Sequence, residues 1–307
     1  MTTHLWHTTK EAYQNYLRLQ RGMSKNSVIS YGLDIEKLIG YLAQYEIDES
    51  PDTIGVDTLR EFVYEVSKDL NARSQARLIS ALKSFFRFMM SERGREDFPM
   101  DLIDSPKIGV KLPDTLSLQE IDMMLNSIDL STDEGHRNRA IIETLYGCGL
   151  RVSELTSLRL SNLFFNEDFI RVIGKGSKQR LIPIGKFTQQ QISNYINNQR
   201  KQLKIARGFE DIVFLNRRGK QLTRAMIFTI VREVAKQAGI QKKISPHTFR
   251  HSFATHLLEN GANLRAIQLM LGHENITTTE VYVHVEKSYL REMLVKYHPR
   301  QKMSFTQ

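Results

Sequence analysis

The sequence predicts a mainly α-helical protein of two domains, the second of which contains a small β-hairpin. Three observations predict this fold class. Apolar residues recur at helical intervals through the first hundred residues, a segment containing Pro and Gly then interrupts the pattern, and two β-rich runs separated by a Gly/Ser/Lys turn follow in the second half. The length of 307 residues is sufficient for two medium-sized domains.

Four amphipathic segments within residues 1–108 predict a small helical bundle. Asp57 is the expected N-cap of the third helix, and Gly94 is expected to end the fourth. The fourth helix also carries four basic residues on its polar positions: Arg73, Arg77, Lys83 and Arg87. Such a row can lie along a phosphate backbone, or it can be the solvated face of an amphipathic helix.

A linker is predicted at residues 109–114, and a second domain at 115–307. Pro106, Gly109 and Pro113 break helical continuity there. Thr115 or Ser117 can cap the next helix, and Glu120 would complete a capping box with Ser117. The β-rich runs 169–173 and 180–184 predict the hairpin, and further helices are predicted near residues 189–204, 223–239, 246–259 and 264–271.

The composition is that of a globular protein, with 41% hydrophobic and 25% charged residues. No apolar run approaches the roughly 20 residues that span a bilayer, and the first residues lack the apolar segment of a signal peptide. The single cysteine, Cys148, lies between glycines at an apparent helix end and is not expected to be a nucleophile. Together these features predict a cytoplasmic protein without membrane association.

The net charge of +9 is unevenly distributed. Residues 1–113 contain 15 basic and 16 acidic residues, and the remainder contains 28 basic and 18 acidic residues. This excess in the second domain predicts a polyanionic partner, with nucleic acid favoured over an anionic membrane. A basic solvated surface is the alternative.

The segment SPHTFRHSFATHLLENG, which starts at Ser245, predicts an anion site at a helix start. Ser245 is a suitable N-cap and Pro246 a suitable first residue, so His247 and Arg250 fall in the first turns. A helix N-terminus favours an anion, and arginine can bind phosphate bidentately. His247 and His251 also have the spacing of a zinc-binding helix, but Thr248 replaces the required Glu and no third ligand is evident, so no metal is expected.

Other candidates are weak individually but consistent as a set. They are Arg151, followed by Glu154, Lys175 in the hairpin turn, His273 and Tyr282. Phosphodiester cleavage needs a nucleophile, positive groups around the phosphorane and an acid for the departing oxygen. Tyr282 can attack, Arg151 and Arg250 can neutralise the non-bridging oxygens, and Lys175 can protonate the leaving hydroxyl. His247 can handle the tyrosine proton, and His273 can hydrogen-bond the phosphate.

Four motifs in order, YGCGLRVSELTSL, VIGKGSKQRLIPIG, SPHTFRHSFATHLLENGANLRAIQLMLGH and TTTEVYVHV, resemble the tyrosine recombinase family, and specifically its Xer-type members. The resemblance also includes ARLISALKSFFRFM, SPKIGVKLP and YHPR. It implies a SAM-like N-terminal core-binding domain and an α+β catalytic domain that works without a cofactor or metal. The implied catalytic residues are Arg151, Lys175, His247, Arg250, His273 and the nucleophile Tyr282, with Glu154 supporting Arg151. Lys178 and Arg180 of the hairpin are further expected DNA contacts.

The resemblance also implies partners and an assembly. The implied partners are double-stranded DNA with a dif-like site, a second Xer recombinase in a heterotetramer and an FtsK-type DNA translocase. The implied reaction passes through a 3′-phosphotyrosine and a Holliday junction. Its implied role is to resolve chromosome dimers at cell division. The C-terminal helix, near residues 287–296, would dock its apolar Leu290, Met293 and Leu294 into a neighbouring protomer, unless they pack against their own chain. Alternatives are a phage, integron or mobile-element integrase, a type IB topoisomerase, a DNA-binding protein without chemistry and a zinc hydrolase.

Overall fold

The computed structural model describes residues 2–107, 109, 114–132, 134–174, 179–272 and 283–301, with side chains in the last range from residue 287 onward. The chain forms two compact units that divide near residue 111. Within these residues, none of the helices combines the length and the apolar content that crossing a bilayer requires. The prediction of a mainly helical protein with two helix-rich parts is confirmed.

The described part of the first unit contains four helices, as predicted. They are α1 (Thr2–Leu19), α2 (Lys25–Gln44), α3 (Val56–Ser67) and α4 (Ala72–Arg93). The side chain of Ser24 caps α2 and that of Asn71 caps α4, and Gly94 ends α4 with a left-handed φ of 75°. The predicted N-cap of α3 was wrong. Gly55 takes that position, while Asp57 lies in the first turn and pairs with Arg60 at 2.9 Å.

Aromatic side chains fill the core of the first unit. The ring of Trp6 stacks on Phe85 with centroids 5.8 Å apart, and Tyr13 meets the same ring edge-on at 5.3 Å. These residues lie on α1 and α4, so the contacts fix the first helix against the last. Burial of several large rings stabilises such a small bundle by removing apolar area from water.

Eight helices lie in the described part of the second unit: α5 (Leu118–Asn126), α6 (Gly135–Cys148), α7 (Val152–Thr156), α8 (Lys186–Tyr195), α9 (Arg224–Gln237), α10 (Pro246–Glu259), α11 (Leu264–Leu271) and α12 (Val283–Tyr297). The capping box of Ser117 and Glu120 is present, and α10 and α11 have the predicted bounds. The helix predicted at 189–204 differs, since α8 starts at Lys186 and passes into a π-helical turn, Ile196–Arg200.

The sheet is antiparallel, and its described strands have the order β1 (Leu163–Phe164), β2 (Phe169–Ile173) and β3 (Gln179–Pro183). Strands β2 and β3 form the predicted hairpin, with Ile170 opposite Ile182 and both side chains buried. Strand β1 was not predicted, because two residues are too few to show an alternating pattern. The hairpin packs one face on the core and ends beside α7 and α11.

Asp168 joins three elements from the turn before β2. Its backbone is left-handed (φ 61°), and its buried carboxylate accepts hydrogen bonds from Lys186 and Gln189 of α8 and from Arg291 of α12. Burial would raise the pKa of Asp168, but these hydrogen bonds and cations hold it below its ordinary value. The carboxylate is therefore ionised at neutral pH and ties the turn to both helices.

Two residues that follow α12, His298 and Arg300, are buried in the core of the second unit. The His298 ring is fully enclosed and packs on Tyr146 with centroids 4.8 Å apart. Arg300 donates to Asp122 at 2.6 Å and lies 3.2 Å from the buried carboxylate of Glu143. Leu290 and Leu294 of α12 are buried in the same core, which is the alternative to docking into a neighbour. Docking between protomers stays a prediction.

Candidate active site

Arg151 stands at the start of α7, directly after a sharp change in chain direction. Gly149 ends α6 with φ 58°, and a Cβ there would lie 2.6 Å from the Phe253 ring, so the position requires glycine. The backbone N–H of Arg151 donates to Glu154 Oε2 at 2.8 Å, and its Nη1 donates to Oε1 at 2.9 Å. With 37% of its side chain exposed, Arg151 remains accessible to a ligand.

Arg250 lies on α10, and backbone carbonyls of other segments hold its buried side chain. The cap predicted at Ser245 is present, with the Ser245 N–H donating to Thr248 Oγ1 at 3.1 Å. The Arg250 guanidinium donates from Nη1 to the carbonyl of Gly149 at 2.7 Å and from Nη2 to the carbonyl of Leu271. Burial, followed by the charge of Arg151, lowers the pKa of Arg250 to about 10. It remains a cation at neutral pH, in surroundings that an anion would stabilise.

Glu154 is the carboxylate at the centre of the site. It is almost fully buried and accepts from Arg180 at 2.7 and 2.9 Å as well as from Arg151, while Arg250 Nη1 lies 4.0 Å away. Burial would raise its pKa, but the hydrogen bonds and charges of Arg180 and Arg151 lower it overall. We call Arg151, Arg180, Arg250 and Glu154 the arginine cage. One carboxylate balances one of three guanidinium groups, so the cage carries a net charge of +2 and suits a phosphate.

The C-terminal end of α11 supplies the remaining contacts of the cage. Its last carbonyls, which a helix leaves without internal partners, accept one hydrogen bond from each arginine. The bonds run from Arg180 Nε to Met270 (2.9 Å), from Arg250 Nη2 to Leu271, and from Arg151 Nη2 to Gly272 (3.3 Å). Because this helix end carries partial negative charge, it orients all three cations.

His247 lies exposed at the start of α10, one turn before Arg250. Burial of part of the ring, then the neighbouring His251, Arg250 and Arg151, lower its pKa below the usual value. The imidazole is therefore neutral at pH 7, and a neutral imidazole can accept a proton. His247 thus lies within the electrostatic reach of two arginines of the cage.

A groove of about 830 Å³ opens beside Arg151. Its walls are the start of α7, the end of β2 near Ile173 and Gly174, and the segment that leads into α9. Arg151 and Glu154 both line the groove, so it opens one side of the cage to solvent.

Of the residues predicted to be catalytic or supporting, the structure brings four together: Arg151, Glu154, His247 and Arg250. Lys175, Lys178, His273 and Tyr282 lie outside the described residues. For two of them the adjacent residue in the chain lies at the cage: Gln179, which follows Lys178, starts β3 one residue before Arg180, and Gly272, which precedes His273, ends α11. Sequence reasoning missed the place of Arg180, since no local spacing links it with Glu154 or Met270.

The predicted DNA-contacting row on α4 occupies varied surroundings. Arg73 and Arg87 are exposed, and Arg87 also lies over the Phe98 ring, whereas Lys83 is half-buried. Arg77 pairs at 3.1 Å with the buried carboxylate of Asp34. Contact of this row with DNA stays a prediction.

Cys148 and His256, two further residues with reactive side chains, have surroundings that indicate structural roles. Cys148 is fully buried, which raises the pKa of its thiol, so it is not a thiolate. His256 Nδ1 lies 2.9 Å from the Tyr146 hydroxyl and has a structural role. Across the described ranges, no group of three or more His, Cys, Asp or Glu residues is arranged to hold a metal ion.

Comparison with known proteins gives the family. Residues 114–288 match the phage integrase family, and residues 11–93 match the phage integrase N-terminal SAM-like domain. Tyrosine recombinase XerD of Staphylococcus haemolyticus is 39% identical over 294 residues, or 95% of this chain and 99% of that protein. XerD of Staphylococcus aureus is 40% identical with the same coverage.

Solved structures show the same fold. XerH recombinase bound to a palindromic difH substrate superposes with a TM-score of 0.71 at 23% identity, covering 93% of this chain and 84% of that chain. The integrase of transposon Tn1549 in complex with transposon right-end DNA gives a TM-score of 0.70 at 22% identity, covering 92% and 99%. The chain therefore belongs to the phage integrase family and, within it, to the Xer-type tyrosine recombinases, which are site-specific recombination enzymes.

Proposed function

We propose that this protein resolves chromosome dimers at cell division by recombining DNA at a dif-like site. The observation that carries the chemical part is the arginine cage, which has a net positive charge and whose Arg151 lines an open groove. The biological part rests on the 39–40% identity to XerD proteins across 95% of the chain. Acting on the chromosome, the protein would work in the cytoplasm.

The reaction begins with attack on the scissile phosphate. The Tyr282 oxygen forms a bond to phosphorus, the bond from phosphorus to the 5′ oxygen breaks, and a 3′-phosphotyrosine results. Arg151 and Arg250 stabilise the charge that builds up on the non-bridging oxygens, and His273 hydrogen-bonds to the phosphate. His247 accepts the tyrosine proton and Lys175 gives a proton to the departing hydroxyl.

The covalent intermediate conserves the energy of the phosphodiester, so a 5′ hydroxyl from the partner duplex can reverse the step and join the new strand. Two such exchanges, one pair of strands at a time, pass through a Holliday junction. We propose a heterotetramer with a second Xer recombinase, activated by an FtsK-type translocase. The helical N-terminal domain and the catalytic domain would each contact the duplex, and the basic excess of the second domain supports DNA as the partner.

A mobile-element or integron-type integrase is the alternative that shares this chemistry. The fold does not separate the two, because the transposon integrase and XerH superpose equally well. The target site separates them: a dimer-resolving enzyme acts at a chromosomal site, and an integrase acts at the ends of its element.

The test is a nicked duplex carrying the chromosomal resolution site, incubated with the protein in EDTA and analysed on a denaturing gel. We expect a DNA–protein adduct that Tyr282→Phe abolishes while DNA binding stays within threefold of wild type. An adduct that persists in Tyr282→Phe would refute the nucleophile assignment. If the site is bound without an adduct, even after the second recombinase is added, the chain is a binding module.

A further inference from the structure

Arg180 is the arginine of the cage that the proposed chemistry leaves without a task. Three of its nitrogens already donate hydrogen bonds, two of them to the oxygens of Glu154 at 2.7 and 2.9 Å and one to the Met270 carbonyl at 2.9 Å. Only 15% of the side chain is exposed. With a hydrogen bond from each of its three nitrogens and its fork turned towards Glu154, Arg180 is poorly placed to contact DNA, which is the role that the sequence suggested.

The backbone at Gly272 leaves room for the Arg180 side chain. Gly272 follows α11 with φ 67°, and a Cβ at this position would lie 3.0 Å from Arg180 Cδ and 3.1 Å from its Nε and Nη1. The guanidinium therefore packs against bare backbone at the end of α11. It joins three segments: α7 through Glu154, α11 through Met270, and β3, on which Arg180 itself lies.

The effect of Arg180 on its neighbours follows from the shared carboxylate. Because Arg180 binds both oxygens of Glu154, Arg151 makes one side-chain bond to that carboxylate, and Arg250 lies 4.0 Å from it. Without Arg180, the ionised Glu154 would draw Arg151 and Arg250 towards itself. The charge available to a phosphate would then fall from +2 to +1.

We propose that Arg180 is a positioning residue, which occupies Glu154 so that Arg151 and Arg250 remain directed at the scissile phosphate. The role rests on the proposed cleavage chemistry and deepens it. It also links the hairpin to the cage, because Arg180 follows the predicted general acid Lys175 by five residues along the chain. Arg180 acts through Glu154 and does not itself touch the reacting atoms.

The test is a double-mutant cycle on the rate of adduct formation with the nicked resolution-site duplex, with DNA affinity measured separately by gel shift. Arg180→Gln should slow cleavage by about 10- to 100-fold and leave the Kd within threefold of wild type. In a Glu154→Gln background, which lacks the competing carboxylate, the same substitution should change the rate by less than threefold. A general loss of structure would not depend on the charge of Glu154 in this way.

Arg171→Gln is the matched control from the neighbouring strand. Arg171 also donates to a side chain, Asn162, at 2.9 Å, and it packs on the Phe164 ring. The Arg171→Gln variant should cleave DNA at a rate within threefold of wild type. If Arg180→Gln does not fold, as judged by its thermal melt, Arg180→Lys takes its place in the cycle, since lysine lacks the bidentate fork.

Three results would overturn the proposal: a cleavage rate within threefold of wild type, a loss of DNA affinity large enough to explain the loss of rate, or an equal effect of Arg180→Gln in both backgrounds. The second would restore a direct DNA contact, and the third would separate Arg180 from Glu154. Failure of the proposed function looks different, because the wild-type protein would then form no Tyr282-dependent adduct.

Discussion

His298 shows how one enclosed side chain can make the stability of a domain depend on pH. Burial, then the charges of Arg300 and His256, lower its pKa to about 3. The unfolded chain binds a proton near pH 6.5, whereas the folded chain does not. The free energy of unfolding is therefore highest, as far as His298 is concerned, above pH 6.5. It decreases as the pH falls from 6.5 towards 3, because only the unfolded chain takes up the proton.

We therefore expect the free energy of unfolding to decrease by up to about 1.4 kcal/mol per pH unit below pH 6 from this group alone. Urea unfolding between pH 7.5 and pH 4.5 measures the slope. His298→Asn keeps an acceptor for the N–H of Arg300, which donates to His298 Nδ1 at 3.2 Å, but it cannot titrate. The variant should be less stable at pH 7.5 and less sensitive to acid; equal slopes in the two proteins would show that another group is responsible.

At the scale of elements, the turn at Asp168 holds the sheet to two helices. Replacing Asp168 by Ala removes the acceptor for Lys186, Gln189 and Arg291 and leaves a left-handed backbone on a residue that disfavours it. Since Lys186 and Arg291 are 66% and 54% exposed, water can solvate them again, and the expected loss is about 2 kcal/mol.

Asp168→Asn is the control for this prediction. Asn tolerates left-handed backbone and still accepts hydrogen bonds, so it should lose less than half as much stability as Asp168→Ala. The midpoint of thermal unfolding compares the two variants. A midpoint for Asp168→Asn as low as that of Asp168→Ala would mean that charge alone, and not backbone geometry, makes the position important.

The elements that the sequence predicted well are those with local signals at both ends. Helix α10 starts with Ser245 and Pro246, α11 is followed by Gly272, and both have the predicted bounds. The start of α8 was predicted too late, because its N-cap is Gly185, which has no side chain and so leaves no capping signal in the sequence. The arginine cage depends on contacts between residues far apart along the chain, such as Arg180 with Met270, so spacing could suggest its members but not their arrangement.

At the scale of the whole molecule, the net charge of +9 predicts how DNA binding responds to salt. Neutralising phosphates releases counterions, so a protein that makes six or more contacts should lose at least about a thousandfold in affinity between 50 and 200 mM salt. Fluorescence anisotropy with the resolution-site duplex measures this. Arg73→Gln, in the predicted DNA-contacting row, should reduce the slope of log K against log salt by about 1.

Arg60→Gln is the matched control in the same unit. Arg60 is exposed on α3, and its partner is Asp57 at 2.9 Å. Its removal should leave the salt slope unchanged. An affinity that hardly varies with salt, or equal slopes for Arg73→Gln and wild type, would contradict the prediction for the first unit.

The residues after α12 have a consequence for the length of that helix. Its fifteen residues span about 22 Å, and its far end is fixed by the burial of His298 and Arg300. Its near end, Val283, directly follows Tyr282 in the chain. Deleting one residue would shorten the helix by about 1.5 Å and rotate its start by about 100°. The number of residues in α12, and not the identity of its exposed side chains, therefore sets the distance between the buried residues His298 and Arg300 and the start of the helix at Val283.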